Sequence, residues 1–167
     1  LMVLARNSQS ASELSRQIRD GEFKKSYLAV LHGIPEEKEA LLRDLLLRDK
    51  RERKTYVVTE SGKGVQEALL RYQLQSADED MSRVSIELIT GRTHQIRAHM
   101  AHIGHPLVGD GKYGVNREDK RRGYKFQALY AYKLRFAFAD REGLLGYLDG
   151  KTVALDKKDI WFLKDFE

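Results

Sequence analysis

The sequence contains no cysteine, only two prolines and no apolar run approaching the roughly 18–20 residues of a membrane-spanning helix. Without cysteine, neither disulfide bonds nor thiolate zinc sites can form, which suits a reducing compartment such as the cytoplasm. No charged-then-apolar pattern typical of a signal peptide opens the sequence. A hydrophobic fraction of 41% and the scarcity of proline both indicate a globular protein rather than a disordered one. We therefore expect a cytoplasmic protein without membrane contacts.

The length and charge of the chain limit how many domains it can form and what kind of partner it can bind. At 167 residues it is long enough to bury a substantial core, and we predict a single domain over residues 1–167. Thirty basic and 25 acidic residues give a net charge of +5. This balance favours a polyanionic partner only weakly, because the two signs are interleaved. The densest charged run, residues 48–54, fits a solvated surface as well as it fits an RNA contact.

Periodic patterns predict more strands than helices. Strands are predicted at residues 24–33, 56–58, 67–75, 84–89 and 126–138, although the start of 67–75 fits a helix equally well. Helices are predicted from a capping box at 10–13 to Gly21, from Pro35 through the charged segment to 54, and at 157–167, where Trp161 and Phe162 should pack on the core. Residues 116–125 are predicted to form a mobile loop. Residues 140–143 are predicted to form a hairpin-like turn from the preceding strand into 144–148. Because strands and helices do not alternate, we predict an α+β fold with a mixed, largely antiparallel sheet flanked by helices.

The stretch from Glu87 to Gly114 concentrates the chemistry of the chain. A strand ends at Thr90-Gly91, and a short basic helix follows before a series of glycine-rich turns. The amide groups at a helix N-terminus and the helix dipole favour bound anions. Helical spacing places Ile96, Met100 and Ile103 on a packing face and Arg92, Gln95 and His99 on another that can face a ligand.

Four histidines in this stretch, His94, His99, His102 and His105, raise the question of a metal site. No carboxylate lies among them and the HExxH pattern is absent, so we predict no metal. A Walker-type phosphate loop is absent as well. Arg97 lies near the packing boundary, where its charge needs an anionic partner, and no acidic residue lies close to it in sequence. Tyr27 follows Lys24 and Lys25 at the start of a strand, where its phenol could face a groove or pack in the core.

Three stretches of the sequence resemble RluA-type pseudouridine synthases. Residues 90–99, TGRTHQIRAH, with 103–110, IGHPLVGD, and Tyr113-Gly114 are similar to the family's long signature. Residues 25–30, KSYLAV, resemble its tyrosine motif. Residues 127–134, QALYAYKL, resemble a late strand in which the family usually has a histidine near Leu129 and Tyr130. The resemblance spans nearly the whole chain, although residues 35–76 match only in outline.

The resemblance implies a function and roles for particular residues. Members convert uridine in RNA to pseudouridine without a cofactor or metal, using an aspartate nucleophile. The matching tyrosine, Tyr27, would pack on the base or help to deprotonate it, and the matching arginine, Arg97, would pair with the nucleophile. An RNA partner, such as rRNA or tRNA, would lie along a groove. The candidate RNA contacts are Lys24, Lys25, Arg92, His94, Gln95 and His99.

The sequence departs from the family pattern at its start. The family's nucleophile lies in a His-Arg-Leu-Asp motif, a few residues before a strand similar to residues 1–6, LMVLAR. That motif does not occur in these 167 residues. We therefore expect a catalytic domain that is incomplete at the N-terminus, inactive as it stands, and with a carboxylate partner for Arg97 that this chain does not contain. The alternative is a catalytically silent RNA-binding module of the same fold.

Overall fold

The computed structural model describes residues 1–166, which form one sheet of seven strands with three α-helices and three short 3₁₀ segments. The helices are α1 (Ser8–Arg19), α2 (Gln95–His102) and α3 (Arg117–Arg121). The strands are β1 (Phe23–His32), β2 (Glu39–Asp49), β3 (Lys54–Val58), β4 (Val65–Ala77), β5 (Met81–Leu88), β6 (Leu129–Phe136) and β7 (Thr152–Ala154). The 3₁₀ segments are Gly146–Leu148, Lys157–Asp159 and Trp161–Phe166. Within residues 1–166, no helix is both long and apolar enough to cross a membrane.

The strands follow the order β3-β2-β4-β5-β1-β6-β7, and every neighbouring pair is antiparallel. The predicted α+β class and largely antiparallel sheet are confirmed. Strand β1 lies between β5 and β6, in the interior of the sheet. Because successive side chains of a strand point to opposite faces, β1 contributes to two cores. Residues Ala29 and Leu31 pack with α2 on one face, whereas Leu28 and Val30 pack with Phe162 on the other.

Helix α2 lies against the sheet through the apolar face that its sequence predicted. Ile96 and Met100 are buried against Leu70 and Ile86 of the sheet, and Ile103 is packed at the edge of the same cluster. Ala98 packs on Leu46 of β2 in a neighbouring cluster. Gln95, the first residue of α2, donates to the carbonyl of Leu69, so the helix begins against β4.

The helix predicted from Pro35 is wrong. The segment forms β2, turns, and continues into β3. Its burial alternates along the strand, with Leu42 and Leu46 facing the core and Leu41 about half exposed. The spacing of leucines and charges fits a helix as well as a strand. Pairing with β4 on one side and β3 on the other supplies hydrogen-bond partners for the backbone of an extended strand.

Other elements differ from prediction in their bounds. Helix α1 begins earlier than the capping box predicted, because the side chain of Asn7 accepts a hydrogen bond from the Ser10 amide. The predicted loop at 116–125 contains α3, and its Asp119 is buried. Residues 144–148 lie in a turn and a 3₁₀ segment instead of continuing as a strand.

At the C-terminus, the predicted helix is replaced by the two short 3₁₀ segments, and residue 167 lies outside the described residues. Phe162 docks on the core with no exposed surface, as predicted, whereas Trp161 remains 42% exposed.

Gly109 occupies a position that only glycine can fill. Its φ is +78°, and a Cβ atom would overlap the carbonyl oxygen of Phe126. Gly150 has a similar φ, +74°, with no atom near its missing Cβ. We expect Gly150→Ala to lower the free energy of unfolding by about 1–2 kcal/mol from backbone strain alone. Gly109→Ala should cost about 1–3 kcal/mol more through the added clash. Urea unfolding of both variants measures this difference, and equal losses would contradict the close approach.

Candidate active site

A cleft of about 320 Å³ lies on the α2 face of the sheet. This volume falls at the lower end of the roughly 300–1,000 Å³ of small-molecule sites. The start of α2 forms one wall, and β1, the end of β5 and the start of β6 form the remainder. The lining side chains are Tyr27, Leu88, Arg92, His94, Gln95, Ile96, Arg97, Gln127 and Leu129. The cleft thus combines an apolar floor, suited to a planar ring, with a wall that carries cationic and polar groups.

Tyr27 lies on the cleft face of β1, opposite Ile86 of β5 and Ala131 of β6. The pairing with β6 shifts register beside Tyr27, so a bulge lies next to its side chain. The ring is half-buried, and burial raises the pKa of its phenol. Its hydroxyl makes no hydrogen bond with the side chains and backbone groups that the structure describes. The phenol is therefore neutral at physiological pH and free to contact a ligand.

Arg97 is held by a carboxylate of this chain, contrary to the expectation from the sequence. Its Nε and Nη2 donate to the two carboxylate oxygens of Asp110 at 2.6 and 2.7 Å. Its guanidinium also lies over the ring of Tyr113, with Cζ 4.9 Å from the ring centroid. The expectation that no carboxylate of this chain pairs with Arg97 is therefore wrong, because the turns after α2 fold back and bring Asp110 beside it.

Asp110 is fully buried and ionised. Burial acts to raise the pKa of its carboxyl, but hydrogen bonds from Arg97 and from the amides of Lys112 and Tyr113 outweigh it, so the pKa lies below its ordinary value. The hydrogen bond to Asp110 raises the pKa of the Arg97 guanidinium. A guanidinium has five N–H donors, and this pair uses two of them. Arg97 therefore keeps donors for a second anionic or carbonyl group.

Tyr113 links the start of α2 to β3. Its hydroxyl accepts a hydrogen bond from the Thr55 amide at 2.7 Å and lies 3.1 Å from Nδ1 of His94. His94 itself has a left-handed backbone, with φ 54°, immediately before the helix. Burial, together with the nearby charges of Arg97 and Lys112, lowers the pKa of its imidazole. A neutral, half-buried His94 therefore lines the cleft.

The two remaining predicted contacts on the 90–95 turn, Gln95 and Arg92, have different roles. Gln95 is buried, and its side-chain oxygen accepts hydrogen bonds from the Thr90 hydroxyl and the Arg92 amide. Its amide nitrogen donates to the carbonyl of Leu69. Gln95 therefore fixes the turn instead of presenting donors to a ligand, which corrects its predicted role. Arg92 lines the cleft, with its Nε donating to the carbonyl of Glu67 at 2.9 Å.

Strand geometry separates the two predicted lysines. Lys25 shares the face of Tyr27, and its ammonium group lies close to Gly91 at the rim of the cleft. Burial lowers the pKa of the Lys25 ammonium. Lys24 is exposed on the opposite face of the sheet. The structure therefore brings Lys25, but not Lys24, to the cleft.

The prediction that His99 faces a ligand is wrong. Its imidazole is fully buried, and both ring nitrogens are without a hydrogen-bond partner. The nearest charged group is the carboxylate of Asp44, 3.6 Å from Nε2. Helical spacing alone could not reveal this burial, because the ring lies beside Asp44 of β2, a strand that is distant from α2 in sequence.

Burial lowers the pKa of His99, which makes stability depend on pH. In the unfolded chain the imidazole gains a proton near pH 6.5, whereas the folded protein resists protonation. The free energy of unfolding should therefore fall as the pH drops below about 6.5, by at most about 1.4 kcal/mol per pH unit. We expect His99→Leu to reduce this slope, as measured by urea unfolding between pH 7 and pH 5. Met100→Leu, at a buried position one residue away, should keep it, and an unchanged slope in His99→Leu would contradict the assignment.

Sequence reasoning missed Asp110 and Tyr113 as partners of Arg97. Both lie in the glycine-rich segment after α2. The sequence feature that could have pointed to Asp110 is its place between Gly109 and Gly111, in a turn that can fold back on the helix. Among the side chains that the structure describes, which exclude those of residues 157 and 164–167, no group of three or more His, Cys, Asp or Glu is placed to hold a metal ion.

Comparisons with known proteins agree on one family. Residues 1–102 match the family model described as RNA pseudouridylate synthase. The dual-specificity RNA pseudouridine synthase RluA of Yersinia pestis is 42% identical over 136 residues, which cover 80% of this chain and 64% of that protein. An uncharacterised RNA pseudouridine synthase of Bacillus subtilis, YlyB, is 35% identical over 81% of this chain and 43% of its own length. The chain thus spans less than two thirds of these relatives.

Solved structures show the same fold. The human RNA pseudouridylate synthase domain-containing proteins 4 and 1 superpose with TM-scores of 0.70 and 0.65 over 93% and 94% of this chain. Their sequence identities are 21% and 23%, and the chain covers 66% and 71% of theirs. The fold, the family-model match and the relatives converge, and this chain belongs to the RNA pseudouridylate synthase family.

Proposed function

We propose that this chain forms the larger part of an RNA pseudouridine synthase domain, and that the cleft receives a uridine flipped out of structured RNA. The observation that carries this proposal is the meeting of Tyr27 and Arg97, from β1 and α2, in one cleft. Flipping a base out of a structured RNA costs a few kcal/mol, which stacking and phosphate contacts offset. The apolar floor of Leu88, Ile96 and Leu129 offers a surface for the uracil ring.

The reaction breaks the bond between the ribose and N1 of uracil and forms a bond to C5 of the same base. It is an isomerisation without net oxidation or reduction, so we propose that it needs neither cofactor nor metal. The nucleophile is an aspartate, and the free donors of Arg97 would hold its carboxylate. The raised pKa of Tyr27 favours packing of a neutral phenol against the base over proton abstraction by a phenolate.

We propose that the nucleophile comes from residues that precede Leu1 in a longer protein. The main-chain nitrogen of Leu1 donates to the carbonyl of Ala131 at 2.6 Å, and Ala131 is the strand partner of Tyr27. Residues immediately before Leu1 would therefore lie beside the cleft. On this proposal the 167 residues alone bind RNA but do not isomerise uridine.

Charged contacts to the RNA backbone would come from Lys25 and Arg92 around the mouth of the cleft, and the neutral imidazole of His94 would add a hydrogen bond. Affinity that rests on such contacts falls as the salt concentration rises. Binding that ignores salt would contradict an electrostatic groove. We place the reaction in the cytoplasm, on rRNA or tRNA.

A comparison of two lengths of the protein tests the function. The 167-residue chain and a longer form carrying its upstream sequence are incubated with RNA from cells that lack the gene. Pseudouridine is then located by a chemical readout specific for it. We expect modification at defined uridines by the longer form only. RNA binding by both forms without any new pseudouridine would instead support a silent RNA-binding module.

A further inference from the structure

A second concavity, separate from the cleft, lies near the C-terminal 3₁₀ segment. It has a volume of about 240 Å³ and is lined by Gly123, Lys125, Phe126 and Trp161. Phe126 is 72% exposed and Trp161 is 42% exposed. Contiguous exposed apolar surface beside polar residues is a feature of binding sites. We call these four residues the aromatic platform.

The platform is held rigidly from below. The ring of Trp161 lies 5.4 Å from the rings of both Tyr124 and Phe162, which are themselves buried. The backbone of Phe126 is fixed by its close approach to Gly109. A surface that is already ordered loses little entropy when a planar ligand stacks on it.

The charges around the platform favour an anionic ligand. Lys125, which lines the platform, makes no ion pair with a described side chain, and neither do Arg117 and Lys120 of the preceding helix α3. Their acidic neighbours are already used, since Glu118 pairs with Arg121 and buried Asp119 contacts His32. Exposed aromatic rings with free cations beside them suit unpaired nucleotides, whose bases stack while their phosphates meet the cations. A purely apolar peptide would leave the cations unexplained.

The platform is continuous with the cleft through the chain. Gln127 lines the cleft and the preceding residue, Phe126, lines the platform. The cleft lies on the α2 face of the sheet and the platform packs on the Phe162 face, so an RNA strand that contacts both sites would pass around residues 126–127.

We propose that the aromatic platform binds an unpaired nucleotide of the substrate RNA by stacking, a few nucleotides from the uridine in the cleft. The choice of RNA as ligand rests on the proposed function. The platform would add affinity for RNA that presents a single-stranded segment beside the target, and so contribute to substrate choice.

Trp161 is the sole tryptophan of the sequence and reports directly on the platform. The 167-residue chain is titrated with a ten-nucleotide single-stranded RNA, following both RNA anisotropy and tryptophan fluorescence. We expect binding to quench the fluorescence and Phe126→Ala to weaken binding by roughly five-fold or more. Tyr147→Ala is the matched control, because Tyr147 is 68% exposed and lies beside Lys151. This control should bind like the unaltered protein.

Several outcomes would overturn the platform: no RNA binding, binding without a change in fluorescence, or equal affinities for Phe126→Ala and the unaltered protein. The pseudouridine assay on the longer form separates this failure from failure of the function. Pseudouridine formation by the longer form, without quenching of Trp161 fluorescence by RNA, would reject the platform but support the proposed function. Quenching without activity would do the reverse.

Discussion

Replacing Arg97 by alanine in the longer, nucleophile-bearing form is expected to reduce pseudouridine formation by at least about 100-fold. The side chain lies in the cleft wall and uses two of its donors on Asp110, and on our proposal the remaining donors hold the carboxylate of the nucleophile. Without the guanidinium, the nucleophile would lose both its orientation and its compensating charge. Single-turnover assays on a defined RNA, with RNA affinity measured in parallel, would detect the loss in the chemical step.

Two further variants sharpen this expectation. Arg97→Lys keeps the charge but cannot make the bidentate contact with Asp110, so it should recover little activity. Tyr27→Phe keeps the ring and should retain more activity than Tyr27→Ala if the ring acts by packing on the base. Full activity in Arg97→Ala would show that the role assigned to this arginine is wrong.

The largest expected effect on stability is that of Asp110→Asn. It leaves the guanidinium of Arg97, whose side chain is only 14% exposed, without its carboxylate. Removing one partner of a buried ion pair typically costs about 3–5 kcal/mol. Urea unfolding at pH 7 measures the loss. Asp156→Asn, at a half-exposed carboxylate that contacts Lys158, is the matched control and should cause no measurable change.

The same variant makes a prediction about pH. The pKa of Asp110 is lowered in the folded protein, so its contribution to stability is present above the unfolded pKa of about 3.9 and is lost as the pH falls through the folded value. The difference in unfolding free energy between the unaltered protein and Asp110→Asn should therefore narrow below about pH 4. A difference that stays constant down to pH 2 would contradict an ionised Asp110.

Some elements follow from their residue pattern alone, because that pattern matches the surroundings in which they are buried. The two-sided apolar run of β1, the alternation of β6 and the apolar stripe of α2 predicted these elements because burial follows the period of the backbone. The long signature at 90–114 led to the family, and Tyr27 and Arg97 were placed in one site by resemblance before any distance was known.

The partner that each side chain contacts depends on how distant segments come together in the fold. The segment after Pro35 became β2 because β4 and β3 pair with it, which no local pattern reveals. His99 is buried beside Asp44 of β2, a strand that is distant from α2 in sequence. Arg97 meets Asp110 because the turns after the helix reverse the chain. Local periodicity describes one element at a time, whereas pairing and burial depend on segments that are distant in sequence.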